Sequence, residues 1–366
     1  MHFRNFSKLI VLHFTLCTLT THAGEKFEYY NGVRSLAMGG ARIAVVNDET
    51  AMLVNPAALG KLRDYFVTVA DPEISFGTSS QAIIGADITA FIDPQTMLDK
   101  LTSEKGVQFH QRVSLFPSFV VQNFGIGVYG NYATNANVNL AGTEYSLDYV
   151  NDYAVVLGFN FRLFDGKVKL GFNARATNRV EISRNSTTTT IPANSTGLTI
   201  EGLAKEGFGI GSDVGLILTG PWMLLPTIAV VYRDAGDTHY NINDGLFYST
   251  SERPLRTPSS LDVALAIFPI ISNKTRVSFS LEYRDALSED QEDIDDPMRR
   301  THAGLEFNFS DAFFIRFGYH QRYFSTGLEI SMLNYQLQFA SYSEEIGTAA
   351  LPVEDKRFVG KFAFRF

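Results

Sequence analysis

Lys274–Arg284 reads KTRVSFSLEYR, and its side chains sort by parity: Val277, Phe279, Leu281 and Tyr283 fall on one face, Arg276, Ser278, Ser280, Glu282 and Arg284 on the other. Arg300–Phe309 repeats the pattern, with Thr301, Ala303, Leu305, Phe307 and Phe309 opposing Arg300, His302, Gly304, Glu306 and Asn308. Lys167–Thr177 does so again. Side chains of an extended chain point alternately to its two faces, so each stretch predicts a strand with one apolar and one polar face. Two architectures use such strands: a soluble sandwich with the apolar faces inside, and a transmembrane barrel with them outside.

The rest of the chain favours the barrel. Candidate strands fall near 64–77, 107–122, 125–140, 147–163, 167–183, 207–219, 223–239, 257–271, 274–287, 298–309, 312–320, 324–332, 335–344 and 357–366. Many exceed the usual length of about five or six residues and match the ~9–11 that a tilted membrane-crossing strand needs. Every second connection is tight, as at Asn123-Phe124, Gly220-Pro221-Trp222 and Ser310-Asp311, whereas the stretches 78–106, 184–206, 240–256 and 345–356 are long. Short turns at one end, long loops at the other and an even strand number describe a bacterial outer-membrane barrel. Segment 80–92 would supply one more strand, and Thr187–Thr190 has strand character. The last strand ends on Phe358, Gly360, Phe362, Phe364 and the C-terminal Phe366; a terminal Phe is similar to the signal read by the barrel-assembly machinery.

Composition agrees. The 366 residues hold 30 Phe, 16 Tyr and 29 Gly, but only 19% are charged and the net charge is -8. That excludes disorder and gives no basic face for nucleic acid. Residues 1–23 have the layout of a secretory signal peptide: Arg4 and Lys8, an apolar stretch Leu9–Leu19, and Thr21-His22-Ala23 as the cleavage site. Leu16 sits where a lipoprotein signal would place a small residue before Cys17. Cleavage would leave a chain with no cysteine, held by ladder and packing alone.

Residues 24–62 precede the first strand and contain Gly32-Val33-Arg34-Ser35-Leu36-Ala37-Met38-Gly39-Gly40-Ala41, Asn47-Asp48-Glu49-Thr50-Ala51-Met52 and Asn55-Pro56-Ala57-Ala58-Leu59. Gly39-Gly40 permits positive φ in a tight fold-back, and Pro56 biases Asn55 toward an extended backbone whose amide can serve a turn. This segment resembles the N-terminal hatch of FadL-type outer-membrane proteins, a family that includes PorV-like proteins of type IX secretion. The resemblance implies an all-β transmembrane antiparallel barrel of about 14 strands, residues 63–366, closed by a lumenal hatch over 24–62. It also implies passive uptake of a hydrophobic small molecule, a fatty acid or aromatic, by capture outside, hatch movement and diffusion through the wall. The alternative is a PorV-like role, binding exported proteins or lipoproteins without transport. Gly39, Gly40, Asn55, Pro56 and Ala57 are then the gating candidates, with the lumen residues Arg276, Glu282, Arg316 and Glu329 holding the hatch. Outer-membrane lipid and lipopolysaccharide are the surrounding partners.

Catalytic and metal signatures are scarce. The processed chain has four histidines, His110, His239, His302 and His320, without zinc spacing, so no metal and no cofactor are expected. His302 and His320 fall on polar faces, where Glu306 or Glu329 would be partners for a proton-sensitive gate or for plain lumen polarity. Gly207-Phe208-Gly209-Ile210-Gly211 lacks the spacing of a phosphate loop, and no nucleophile elbow occurs, so no enzyme is expected. Asp93–Lys105 predicts a short loop helix capped by Asp93 with Pro94 at its first position. The acidic run Glu289–Asp296 reads as a solvated loop, or as a site for a divalent cation bridging to lipopolysaccharide.

Overall fold

A computed structural model describes residues 25, 28–80, 96, 100, 106, 108–138, 144–182, 189–192, 200–243, 245–248, 250–288 and 296–366. The signal segment 1–23, segment 80–92 beyond Ser80, the acidic run 289–295 and, but for Thr96 and Lys100, the helix expected over Asp93–Lys105 lie outside these residues.

The strands form one closed antiparallel sheet. Three strands are each interrupted once: β1 (Phe66–Ala70 and Glu73–Gly77), β2 (Gln108–Leu115 and Ser118–Val121) and β8 (Ser260–Ile267 and Ile270–Ser272). The others are β3 (Phe124–Val138), β4 (Glu144–Leu163), β5 (Val168–Ile182), β6 (Lys205–Thr219), β7 (Thr227–Arg233), β9 (Thr275–Tyr283), β10 (Thr301–Phe309), β11 (Phe313–His320), β12 (Tyr323–Ser331), β13 (Tyr335–Glu345) and β14 (Glu354–Arg365). Each pairs with its sequence neighbours, and β14 pairs back onto β1 to give the fourteen-stranded closure. Phe366 is part of that closure, since it exchanges backbone hydrogen bonds with Val67 at 2.9 and 3.0 Å. Closure removes the unpaired edge that lipid cannot satisfy. Thr189–Pro192 continues the ladder beyond β5 by pairing with Glu144–Leu147, so strand character appears where Thr187–Thr190 predicted it.

The faces decide between sandwich and barrel. On β9, Phe279 and Leu281 are exposed while Ser280 and Glu282 are buried. The same inversion holds on β4, where Phe159 and Phe161 are exposed and Asp152 and Asn160 are buried. Apolar side chains outside and charges inside describe a wall facing lipid. No helix among the described residues is long and apolar enough to cross a membrane.

One strand expectation is corrected. β7 spans Thr227–Arg233 rather than 223–239. Residues 220–226 make a wider turn that projects Trp222 and Met223, and Asp234, Gly236 and Asp237 adopt positive φ and turn the chain inward. That inward run explains the glycine-rich stretch on β6: a Cβ at Gly207 or Gly209 would overlap the backbone carbonyls of Tyr240 and His239.

Residues 28–62 fill the middle of the barrel. They form two short helices, Val33–Ala37 and Ala51–Val54, and a 3-10 turn, Pro56–Lys61. Ile43, Val45, Met52 and Leu59 form an apolar core with inward side chains of the wall, among them Phe116, Val156, Ile217 and Val231. The inner face of β4 to β8 therefore mixes these aliphatic side chains with buried polar ones such as Asn160, Asn173, Arg175 and Asp213.

Candidate functional site

Asn55-Pro56-Ala57 docks on β5 and β6. The Asn55 amide donates to the Ile43 carbonyl at 2.9 Å, and its Oδ1 accepts from Ala57 N at 3.0 Å. The wall leaves room for this turn because Gly171 and Gly215 face it: a Cβ on either would overlap Pro56-Ala57 or Asn55. Lumen side chains then satisfy the turn's backbone, with Asn160 donating to Ala57 O at 3.0 Å, Asn173 to Met52 O at 2.7 Å and Arg233 to Val54 O at 3.0 Å.

Met38-Gly39-Gly40 docks on the opposite sector. Gly39 has φ +60° and lies against Tyr319, and Gly304, Gly318 and Gly327 of β10, β11 and β12 accept residues 37–39 closely. The Gly-Gly and Asn-Pro-Ala motifs of residues 24–62 thus occupy separate seats, each matched by glycines on the wall.

Charges latch the second seat. Glu282 Oε2 accepts from the backbone N–H of Arg42 at 2.7 Å and of Ile43 at 2.9 Å, and its Oε1 accepts from Arg284 Nε at 2.8 Å. Arg34 makes a two-pronged contact to Glu306, at 2.9 and 2.8 Å, and reaches Asp48 at 3.0 Å. Arg316 bonds Glu306 at 2.6 Å and pairs with Glu329, which extends the network into the wall. Glu28 pairs with Arg284 and Arg42. Burial raises the Glu28 carboxyl, but the two guanidiniums outweigh it and hold its pKa at about 2. Burial, with Lys169 and Arg34 nearby, pushes the Lys61 amine down to about 7; that amine donates to Ala44 O at 2.5 Å.

Glu282, Arg316 and Glu329 therefore belong to the buried charges packed against the N-terminal segment, Glu282 in a cluster with Arg42, Arg284 and Glu28 and the other two in one with Arg34 and Glu306. Arg276 does not: it sits two residues beyond the Asn273-Lys274 turn, its side chain 58% exposed, 3.5 Å from Asp311 at the rim. Parity alone aimed it inward, but the strand end lies below the filled part of the lumen. Arg34 and Arg42, which bond Glu306 and Glu28, were not singled out from the sequence, and Glu306 was read there only as a partner for His302 or His320; Arg34 stood inside the quoted glycine motif. His302 and His320 also differ from expectation. They face each other across β10 and β11, Nδ1 to Nδ1 at 2.9 Å, and neither touches Glu306 or Glu329. The one proton of a His302 Nδ1–H is shared between Gly39 O at 2.9 Å and His320 Nδ1, and His320 Nε2 then donates to Glu344 at 3.0 Å.

Among the described residues, two voids lie on opposite sides of the N-terminal segment. One, of about 840 Å³ including its opening to solvent, lies toward the long loops and is lined by Tyr29, Leu36, Tyr129, Asn131, Tyr342 and Glu344 among others. The other, of about 470 Å³ counted likewise with its opening to solvent, lies toward the tight turns and touches Val33, Met38, Val46, Gln336 and Lys361. Tyr29 and Asn31 face the first void while Tyr30 and Gly32 face the second, so the partition there is a single chain thick. Among the described residues no group of three or more His, Cys, Asp and Glu has metal-holding geometry.

No protein-family model and no curated protein matches the sequence. Solved structures match it by fold. The CymD monoaromatic hydrocarbon channel aligns over 91% of this chain and 96% of its own, with 13% identity and a TM-score of 0.54. The Ralstonia pickettii toluene transporter TbuX aligns over 92% and 98%, with 14% identity and a TM-score of 0.51. The deltaS2 mutant of the TodX monoaromatic hydrocarbon channel aligns over 91% and 98%, with 11% identity and a TM-score of 0.51. The barrel expected from the FadL-type resemblance is thus the observed fold, and a closed barrel with this lipid-facing wall is an outer-membrane architecture.

Proposed function

We propose that this chain is a gated outer-membrane channel for the passive uptake of small, largely apolar molecules, with residues 24–62 as its hatch and residues 1–23 as a cleaved signal. The observation that carries the reading is the partition: two lumen voids separated by the one-chain-thick stretch from Tyr29 to Gly32 and the helix that follows it. The fold it shares with a monoaromatic hydrocarbon channel and a toluene transporter supports the same reading.

A molecule entering from the long-loop end would fill the upper void and move forward when residues 29–41 shift. Gly39 and Gly40 supply the turn on which that stretch would swing, while Asn55-Pro56-Ala57 anchors the far end against β5 and β6. The wall offers an exit to lipid at the β1–β2 seam. There Pro72 and Pro117 remove backbone donors, and Phe116 N bonds the Asp71 carboxylate at 2.5 Å instead of the neighbouring strand. Phe116 fills the seam from inside.

Uptake of labelled fatty acids and aromatics by a deletion strain and its complemented parent tests the proposal. Slower uptake of at least one class on deletion, restored by the intact gene, is expected. Unchanged uptake of every compound, with altered display of surface proteins, would overturn it in favour of the PorV-like role.

A further inference from the structure

β7 is short, and the wall above it is closed by other means. β7 pairs with β6 only from Val214 to Thr219. Higher up, the same edge of β6 is met by the stretch that follows β7: Ala235 N donates to Ser212 O at 2.8 Å, Phe208 N to Asn243 O at 3.3 Å, and Ile242 N to Phe208 O at 3.0 Å. His239 and Tyr240 lie on the lumen side of that edge, against Gly209 and Gly207. Residues 245–248 lie on the other side. They cover Glu206, which shares the outward parity of the exposed Ile210, and Asn178, which shares that of the exposed Phe172. From Tyr240 to Tyr248 the chain thus crosses the wall from lumen to outer face.

Glu206 is fully buried beneath that crossing. One carboxylate oxygen accepts from Leu246 N at 2.7 Å and from the Asn178 amide at 2.8 Å, the other accepts from Tyr248 N at 2.5 Å, and Phe247 N lies 3.0 and 3.1 Å from the two. Gly245 rests on the carboxyl group, with no room for a Cβ. Three consecutive N–H groups outside any strand are therefore satisfied within the protein, while Leu246 and Phe247 point outward, 73% and 56% exposed. In water such donors need no buried carboxylate, and burying one costs free energy. Lipid offers no acceptor, so backbone set against it must be satisfied internally. The Phe247 ring lies 5.2 Å from that of Tyr153, at the upper end of the exposed row Tyr153, Val155, Phe159 and Phe161 on β4.

We propose that residues 245–248 are a lipid-facing panel of the wall, seated by the Glu206 carboxylate and covered by acyl chains of the outer leaflet, instead of part of an aqueous external loop. The panel continues the lipid-facing row of β4, and it depends on the barrel alone, whatever the lumen carries.

Fluorescence quenching tests it. Trp222→Phe removes the chain's one tryptophan, so that Phe247→Trp becomes a single reporter. The full processed chain is inserted into phosphatidylcholine vesicles with and without bromine on the acyl chains, and a strong loss of emission in the brominated vesicles is expected. Emission unaffected by brominated lipid overturns the proposal, whether aqueous acrylamide quenches it, as for an external loop, or fails to, as for a face covered by protein. Leu246→Trp gives the same reading should Phe247→Trp lose the heat-modifiable mobility of the folded barrel. Glu206→Gln removes the charge and turns an NH2 group toward backbone donors. It should speed hydrogen exchange at the Leu246, Phe247 and Tyr248 amides about tenfold or more, ahead of the β6 ladder. Equal exchange in the parent and in Glu206→Gln would overturn the proposal as well.

Discussion

Replacing Gly39 by alanine perturbs the proposed hatch where it lies close against the wall. Gly39 holds φ +60°, where a side chain costs roughly 1–2 kcal/mol. The new methyl would lie 2.6 Å from the Tyr319 carbonyl oxygen and 2.8 Å from that of Ala303, both parts of the hydrogen-bonded wall. Overpacking of this kind costs typically ~1–3 kcal/mol. Together the two effects put about 2–5 kcal/mol against the seated hatch, a change of about 30-fold to a few thousand-fold in the fraction unseated, at about 1.4 kcal/mol per decade. The chain without residues 1–23 has no cysteine, so a single Ser35→Cys reporter, buried in the seated hatch, reads the unseated population as a maleimide labelling rate. Gly39→Ala should raise that rate at least 30-fold while the folded barrel keeps its heat-modifiable gel mobility. Gly236→Ala is the matched control: φ is +83° but no atom lies within 4 Å, so strain is added without a clash in the hatch. Equal labelling of the parent and Gly39→Ala would refute the reasoning.

Further expectations concern the latch, the anchor, the pH response and the wall. Glu282→Ala strands the N–H groups of Arg42 and Ile43, at about 1–3 kcal/mol for each buried donor; hydrogen exchange at these two amides should accelerate ahead of the β9 ladder. Asn55→Ala removes both amide bonds of the anchoring turn, and trypsin should then cut after Lys61 faster while the barrel survives. Glu28 sits below the ordinary carboxylate value, so its pairing contributes above about pH 4.5 and is lost only as pH falls through about 2. Ser35→Cys labelling at pH 4.5 should therefore match that at pH 7 once thiol ionisation is corrected; faster labelling at pH 4.5 would contradict it. Leu281→Arg should weaken insertion by about 2–4 kcal/mol if that position is near mid-membrane, as urea titration in lipid vesicles would read.

The barrel was legible because its signal is periodic. Alternation such as Val277 to Tyr283, repeated with tight turns at every second connection, specifies faces and strand number without any tertiary information. The length of β7 was not legible: Leu224 and Leu225 look like strand residues, but Pro226 and the left-handed Asp234 bend confine the pairing to 227–233. The site was legible in part. Gly39 and Asn55 announce turns, but their wall seats at Gly171, Gly215 and Gly318 are far off in sequence and look like ordinary strand glycines. Arg276 and Arg316 share the same inward parity, and only height along the barrel separates a rim side chain from a latch. The His302–His320 contact follows from the β10–β11 register, which parity cannot supply.

Hydrogen exchange of the folded protein in lipid vesicles tests most directly the claim that residues 29–41 are a movable partition. Amides of Leu36, Met38 and Gly40, all hydrogen-bonded within the segment, should exchange through a local opening, well before those of β9 to β12, and faster again in Gly39→Ala. Exchange of these amides only together with the barrel strands, unaltered by Gly39→Ala, would contradict it, because the segment would then be a fixed part of the wall's interior.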